Sequence, residues 1–200
     1  LDLFVSLAAD PDLAGWTGMG FVVQAYQKRA PRVIDLLVAL GRRRRGQRLM
    51  VRLVKGAYWD SEIKRAQVDG QSDYPVFTRK AHTDLSYLVC AGRLLAAADA
   101  IFPQFATHNA HTLAAVVQMA RAQGRSDFEF QCLHGMGESL YDAVVGDEGL
   151  SCRIYAPVGP HATLLPYLVR RLLENGANTS FVHRIVDPAV PVAELLEPPP

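Results

Sequence analysis

The sequence predicts an α/β fold of the (β/α)8 TIM-barrel type, incomplete here, with about five βα units. Five short runs of strand-like composition alternate with longer stretches in which apolar residues recur at helical spacing, which implies a parallel sheet. An open doubly wound sheet shares that pattern, but no G-x-G-x-x-G turn follows the first strand. Polar residues lie instead at the carboxyl ends of several predicted strands, where barrel enzymes carry their chemistry.

The elements follow one another along the chain. Helical periodicity covers residues 33–40, 85–95 and 113–117, and Pro31 suits the first turn of the first of these helices. A complete barrel takes about 250 residues, so about three units are expected outside these 200 residues. The prolines at the end of the chain look like the start of a linker. The strands are predicted at Phe21–Tyr26, Met50–Ala57, Phe102–Thr107, Phe128–Leu133 and Arg153–Val158.

Composition excludes several classes of protein. The chain has 21 Lys and Arg against 20 Asp and Glu, and half of its residues are apolar. The net charge of +1 argues against nucleic acid as a partner, and the apolar content argues against disorder. Three dispersed cysteines form neither a disulfide framework nor a zinc motif. No apolar run approaches the roughly 18 residues of a membrane span and no secretory signal opens the chain, so a cytoplasmic location is expected by default.

The densest polar segment is the strand and turn Met50–Asp60. Arg52 and Lys55 lie three positions apart, so strand alternation places them on opposite faces and at most one points into a barrel. A fixed guanidinium in a dry site can hold an electron-rich cofactor or an anion. A strand-end charge in solvent explains the same residue, and both interpretations stay open.

Two histidines, His108 and His111, lie where a strand gives way to a helix. A metal site needs a third ligand, and no spacing ties His134 to this pair. The other interpretations are hydrogen bonding to a cofactor and capping of the helix. Cys132, within a buried strand, is interpreted as a small apolar residue rather than a nucleophile.

The last long helix carries adjacent arginines, Arg170 and Arg171, about 100° apart around its axis. Glu174 lies one turn further on, so a surface ion-pair cluster explains them. The alternative is a double cation that clamps a carboxylate. The arginine run at 42–45 is interpreted as a solvated helix end.

Four segments resemble the proline dehydrogenase domain of the bifunctional proline utilization flavoenzymes. They are residues 51–60 (VRLVKGAYWD), 105–109 (FATHN), 130–137 (FQCLHGMG) and 170–178 (RRLLENGAN), and the resemblance runs from about residue 15 to 187. It implies a (β/α)8 barrel that binds FAD, oxidises L-proline to Δ1-pyrroline-5-carboxylate and passes electrons to a quinone. It also implies an aldehyde dehydrogenase domain in the parent chain and peripheral association of the parent with the inner face of the membrane.

The resemblance also assigns site residues. Arg52 is similar to the arginine near flavin N5, and it is implied to be catalytic together with Tyr155, Arg170 and Arg171. No metal is implied. The implied proline pocket consists of Leu133, Tyr155, Tyr167, Arg170 and Arg171, with the paired arginines on the substrate carboxylate. Further cofactor contacts are implied for Gln24, Val54, Lys55, Gly56, Tyr58, Trp59, Thr78, Arg79, Lys80, Thr107, His108, Gln131, Cys132, Glu174 and Ser180.

The departure from the family concerns extent. The resemblance implies that residues 1–187 are the C-terminal part of the barrel, strands 4 to 8, and that residues 188–200 are the start of the interdomain linker. Earlier strands of the family's barrel supply a lysine and an aspartate near the substrate, and neither has a counterpart in this sequence. The isolated segment is therefore expected to be inactive, with the activity belonging to the parent chain. Two alternatives stay open: a non-enzymatic ligand-binding or assembly module that retains the barrel, and another flavin barrel reductase.

Overall fold

The computed structural model describes residues 1–44, 46–176 and 187–195, without the side chains of 172–176. Helix α1 (Asp2–Ala8) and a 3-10 turn (Pro11–Leu13) precede the first strand. Strands and helices then alternate, with two helices between the second and third strands. The order is β1 (Gly20–Gln24), α2 (Ala30–Arg43), β2 (Leu49–Val54), α3 (Trp59–Val68), α4 (Lys80–Ala96), β3 (Ile101–Ala106), α5 (Ala110–Ala122), β4 (Glu129–Leu133), α6 (Glu138–Gly146), β5 (Cys152–Tyr155), α7 (His161–Gly176) and the short α8 (Val192–Leu195).

All five predicted strands are present, but several end earlier than predicted. Strand β2 stops at Val54 because Gly56, two residues on, has φ +125° and turns the chain out of the extended conformation. Strand β5 stops at Tyr155, two residues before Pro157, which has no N–H to continue the ladder. Turn chemistry at these positions, rather than side-chain composition, sets the ends.

The strands form one parallel sheet whose order follows the chain, β1-β2-β3-β4-β5. A doubly wound sheet reverses its strand order at a switch point, and these five strands show no reversal. The α/β fold with a parallel five-stranded sheet is confirmed. Closure into an eight-stranded barrel stays a prediction.

The hydrophobic core lies between one face of the sheet and the helices. Helices α2 and α4 pack against that face, and α5 packs against α4. Strand alternation turns Leu53, Phe105 and Phe130 toward the helices, where all three are fully buried. The same alternation turns Arg52 and Gln104 to the opposite face, among apolar residues such as Met50 and Phe102. We call this side of the sheet the polar face.

The end of α2 contains a buried arginine. Arg44 is 8% exposed, and its guanidinium donates to the carbonyl oxygens of Trp16 at 2.7 Å and Leu13 at 3.2 Å. The prediction of a solvated helix end is therefore wrong for Arg44, although Arg42 does lie in solvent. The physical reason is that the N-terminal turns fold back over this end and present carbonyl groups that need donors.

Candidate active site at the carboxyl ends of the strands

A hydrogen-bonded polar network lies on the face of the sheet opposite the helices. The register places Arg52 of β2 beside Gln104 of β3, and Gln104 beside Glu129 of β4. Arg52 Nε donates to Gln131 Oε1 at 2.7 Å, and the guanidinium carbon lies 4.7 Å from the centre of the Tyr155 ring. Contacts from two other strands therefore hold the Arg52 side chain in place.

Glu129 is the shared acceptor of this network. Its carboxylate accepts hydrogen bonds from Gln104 Nε2 at 2.7 Å, Gln131 Nε2 at 2.8 Å, and Arg153 Nε and Nη2 at 2.8 and 2.9 Å. Burial opposes ionisation, but the hydrogen bonds from Arg153, Gln131 and Gln104 outweigh it and hold the pKa of Glu129 below its ordinary value. Glu129 was not among the site residues predicted from the sequence. Its signal was alternation, since a residue two positions before Gln131 shares its face.

His108, just after β3, is held as a neutral acceptor. Its Nε2 accepts the backbone N–H of Leu133 at 3.1 Å. Burial, followed by the charges of Arg171 and Arg52, lowers the pKa of His108 to about 4. A neutral imidazole that accepts through Nε2 carries its proton on Nδ1, which is the donor that it can offer to a ligand. Capping of α5 falls to Asn109 instead.

Lys55 turns toward α4 rather than joining Arg52. Its Nζ lies 2.5 Å from Asp84 Oδ1, and Lys80 Nζ lies 2.5 Å from the other carboxylate oxygen. Burial lowers the pKa of Lys55, and the attraction to Asp84 only partly opposes this effect. The two cations therefore share one partly buried carboxylate.

Three predicted cofactor residues lie together at the start of α4. Lys80 is the first residue of the helix, Arg79 occupies the N-cap position, and Thr78 precedes it. No side chain caps the first turn. Uncapped N–H groups and adjacent cations make this helix end electropositive.

The turn after β2 is tightly constrained. A Cβ at Gly56 would lie 2.5 Å from the Tyr26 ring, and φ there is +125°. Trp59 Nε1 donates to the carbonyl oxygen of Phe77 at 2.8 Å, which ties the start of α3 to the segment before α4. The turn thus places its neighbour Tyr58 against Arg170 of α7.

Arg170 and Arg171 diverge from α7 toward different partners. Arg170 lies 4.4 Å from the centre of the Tyr58 ring, and its Nη2 pairs with Asp60 Oδ1 at 2.8 Å. Arg171 lies 5.5 Å from the centre of the Tyr167 ring. Arg170 also donates to the carbonyl oxygen of Ala57, just after β2, and the charge of Arg171 helps to lower the pKa of His108, just after β3. Both arginines therefore lie near the carboxyl ends of the strands, and Arg170 already contacts a carboxylate.

The remaining predicted residues fall into three groups. Leu133 and Tyr155 end neighbouring strands in register, as do Gln24 and Val54. Thr107 is buried, and its carbonyl oxygen accepts the Tyr141 hydroxyl. Ser180 and the side chain of Glu174 lie outside the described residues, so the predictions for them stay predictions.

Cys132 does not face the polar network with its side chain. It lies on the helix side of β4, and its sulfur is 3.7 Å from the sulfur of Cys152. This placement agrees with its interpretation as a small core residue. A contact between Cys132 and a cofactor on the opposite face would have to involve its backbone.

The described residues contain no group of three or more His, Cys, Asp or Glu side chains placed to hold a metal ion. In the same residues, no helix combines the length and apolar character of a membrane span.

Comparison with known proteins identifies the family. The sequence model of the proline dehydrogenases matches residues 1–184. This chain belongs to the proline dehydrogenase family. Over its whole length it is 64% identical to the bifunctional protein PutA of Escherichia coli (strain K12) and 62% identical to that of Rhizobium meliloti, and it spans 16% of each. Over 80% of this chain and 28% of that one, it is 30% identical to human mitochondrial proline dehydrogenase 1.

Solved structures agree with the sequence comparison. A crystal structure of proline utilization A from Bradyrhizobium japonicum superposes with a TM-score of 0.93 at 60% identity, covering 99% of this chain and 20% of that one. The protein from Bdellovibrio bacteriovorus, crystallised after inactivation by N-propargylglycine, gives 0.92 at 39% identity with the same coverage. The resemblance to proline dehydrogenase domains is confirmed. The chain spans less than a quarter of the length of the PutA relatives that it matches.

Proposed function

We propose that this chain is part of an FAD-dependent proline dehydrogenase that oxidises L-proline to Δ1-pyrroline-5-carboxylate and passes the electrons to a quinone. Family membership supports this reaction, and the observation that carries the proposal is the clustering of Arg52, Tyr155, Tyr167 and Arg171, since Tyr155, Arg171 and Arg52 all act on the pKa of Tyr167. The bifunctional PutA relatives support a longer parent chain, whose second activity we propose to be that of an aldehyde dehydrogenase domain. The proposed parent closes the barrel and associates peripherally with the membrane.

The residues present fit FAD. The uncapped start of α4, with Arg79 and Lys80, suits a diphosphate group. Arg52 supplies a fixed cation on the polar face, and His108 offers a donor at Nδ1. When bound, the flavin would supply the hydride acceptor, while the protein supplies alignment and charge.

The proposed proline pocket combines a cationic and an apolar part. Tyr155, Tyr167 and Leu133 cover the apolar ring and exclude water, while Arg171 binds the carboxylate. In this structure Arg170 pairs with Asp60, which stands in for the carboxylate that we expect Arg170 to share with Arg171. Fixing both ends of proline orients the carbon beside its nitrogen for hydride loss.

The test uses the full-length protein that carries this segment. Adding proline under anaerobic conditions should bleach the visible flavin absorbance. Arg171→Ala should raise the KM for proline by about 10-fold or more, because a charged hydrogen bond to the carboxylate is lost. Arg65→Ala, on the exposed surface of α3, serves as the matched control and should leave KM unchanged. Absence of bleaching in the unmodified protein would overturn the proposed reaction.

A further inference from the structure

Glu129 is a buried carboxylate to which neither the sequence motifs nor the proposed reaction assigns a role. Its side chain is 8% exposed and lies on the polar face of β4. Four hydrogen bonds from Gln104, Gln131 and Arg153 converge on its two oxygens. Such a group is costly to bury, so the network that satisfies it is rigid.

The network fixes the orientation of the Gln131 amide. A carboxylate only accepts hydrogen bonds and a guanidinium only donates them, so Gln131 must turn Nε2 to Glu129 and Oε1 to Arg52. The two distances, 2.8 and 2.7 Å, are both those of good hydrogen bonds. A neutral amide in place of Glu129 offers a donor as well as an acceptor, so it no longer requires Nε2 of Gln131. Arg52 alone would then select the Oε1 end of the Gln131 amide.

We infer that Glu129 is a positioning residue, which acts through Gln131 to hold the Arg52 guanidinium in place for the reacting edge of the flavin. The inference rests on the proposed function, because Arg52 needs a fixed place only if a cofactor lies beside it. The contact of Arg52 with the Tyr155 ring, at 4.7 Å, supplies the second constraint. Gln131 of β4 and Tyr155 of β5 thus hold the Arg52 guanidinium, and Glu129 orients the first of these two side chains.

A purely electrostatic role for Glu129 makes the opposite prediction. Removing a negative charge near the flavin favours the electron-rich reduced form, so the reduction potential of the flavin should rise. Releasing Arg52 withdraws a positive charge from the flavin, so the potential should fall. The sign of the change in the flavin reduction potential therefore distinguishes a positioning role of Glu129 from a purely electrostatic one.

The experiment measures the flavin midpoint potential in the full-length flavin-loaded protein and in Glu129→Gln. We expect the potential to fall and kcat/KM for proline to drop by about 10-fold, as is typical when an outer hydrogen-bond partner is removed. Gln131→Leu keeps the Glu129 charge but breaks the link, so its potential should fall as well. Combining the two substitutions should add no further fall. Gln104→Leu, which removes a different donor to Glu129, is the control and should leave the potential unchanged.

A raised or unchanged potential in Glu129→Gln overturns the inference, and so does an unchanged potential in Gln131→Leu. Crystal structures of the two variants give a readout without turnover, because Arg52 should leave its place in both and an undisturbed Arg52 contradicts the inference. If the unmodified protein binds no flavin, the proposed function fails, whereas the Arg52 position still decides whether Glu129 acts through Gln131.

Discussion

At the scale of single residues, the surroundings of a side chain determine its chemistry more than its type does. His108 is kept neutral by burial and by neighbouring cations, whereas Glu129 stays ionised because donors surround it. Lys55 is buried against Asp84, and its pKa is lowered despite that partner. Each effect depends on residues that come from other elements.

His108 predicts a pH dependence of stability. Its folded pKa of about 4 lies below the ordinary value of 6.5, so the unfolded chain binds more protons between these values. The stability that neutral His108 contributes is complete above pH 6.5 and is lost as the pH falls toward about 4. His108→Gln keeps an acceptor for the Leu133 N–H and removes the titrating group. The decrease in the free energy of unfolding on acidification should therefore be smaller in this variant by roughly 1–3 kcal/mol. Urea unfolding across this pH range measures the difference, and a His108 that titrates near 6.5 by NMR would contradict the prediction.

Gly56 predicts a local steric effect. An alanine there would place Cβ against the base of the Tyr26 ring in a backbone conformation that L residues rarely adopt. We expect Gly56→Ala to destabilise the protein by about 2–4 kcal/mol in thermal or urea unfolding. Gly70→Ala is the matched control, because Gly70 also has positive φ but has open space around it. Equal losses in the two variants would show that contact with Tyr26 is unimportant.

At the scale of elements, long-range side-chain contacts join segments that strand and helix patterns leave independent. Arg44 links the end of α2 to the N-terminal turns through carbonyl oxygens, and Arg170 links α7 to α3. Buried guanidinium groups suit such links because one side chain can satisfy several acceptors. These contacts determine where the peripheral helices lie relative to the sheet.

Arg44→Met tests the first of these links. The methionine retains apolar contacts but removes the donors to the carbonyl oxygens of Leu13 and Trp16. Residues 1–18 should therefore exchange their amide hydrogens faster, and the free energy of unfolding should fall by about 2–4 kcal/mol. Hydrogen–deuterium exchange by mass spectrometry locates the effect. Arg42→Met, at the exposed ion pair with Asp99, should leave the exchange of that segment unchanged. Unaltered exchange in Arg44→Met would show that apolar packing alone holds the N-terminal turns.

At the scale of the whole molecule, the sheet ends in two open edges. Strands β1 and β5 each pair on one side only within the described residues. Ile154 on β5 is 65% exposed, and Val22 on β1 is 48% exposed. Unpaired strand edges with exposed apolar side chains promote association with other chains.

The 200-residue chain expressed alone should therefore self-associate. Light scattering after size exclusion should show oligomers or aggregates, and Ile154→Lys should reduce them because a charge on an edge strand opposes pairing. Val158→Lys is the control, since Val158 is 96% exposed but lies outside the strands. A monodisperse monomer of the unmodified chain would contradict the prediction.

Local pattern was sufficient for much of the fold and part of the site. Strand alternation predicted that Arg52 and Lys55 point in opposite directions, and periodicity placed all five strands, because both signals depend on residues only a few positions apart. The motifs around Arg52, His108 and Arg170 were sufficient to predict the family. Strand ends were less accurate, since single residues such as Gly56 decide them.

Tertiary structure alone decided which of these residues act together. Arg52 meets Gln131 across 79 positions and Arg170 meets Asp60 across 110, and no periodicity connects residues so far apart. The same limit explains why Arg44 was placed in solvent. Alternation puts Glu129 on the face of Gln131, but only the fold brings Gln104 and Arg153 to its carboxylate. The spacing of residues predicts which side chains share one face of a strand or helix. Hydrogen-bond partners, burial and the resulting pKa values depend instead on which faces the folded chain brings into contact.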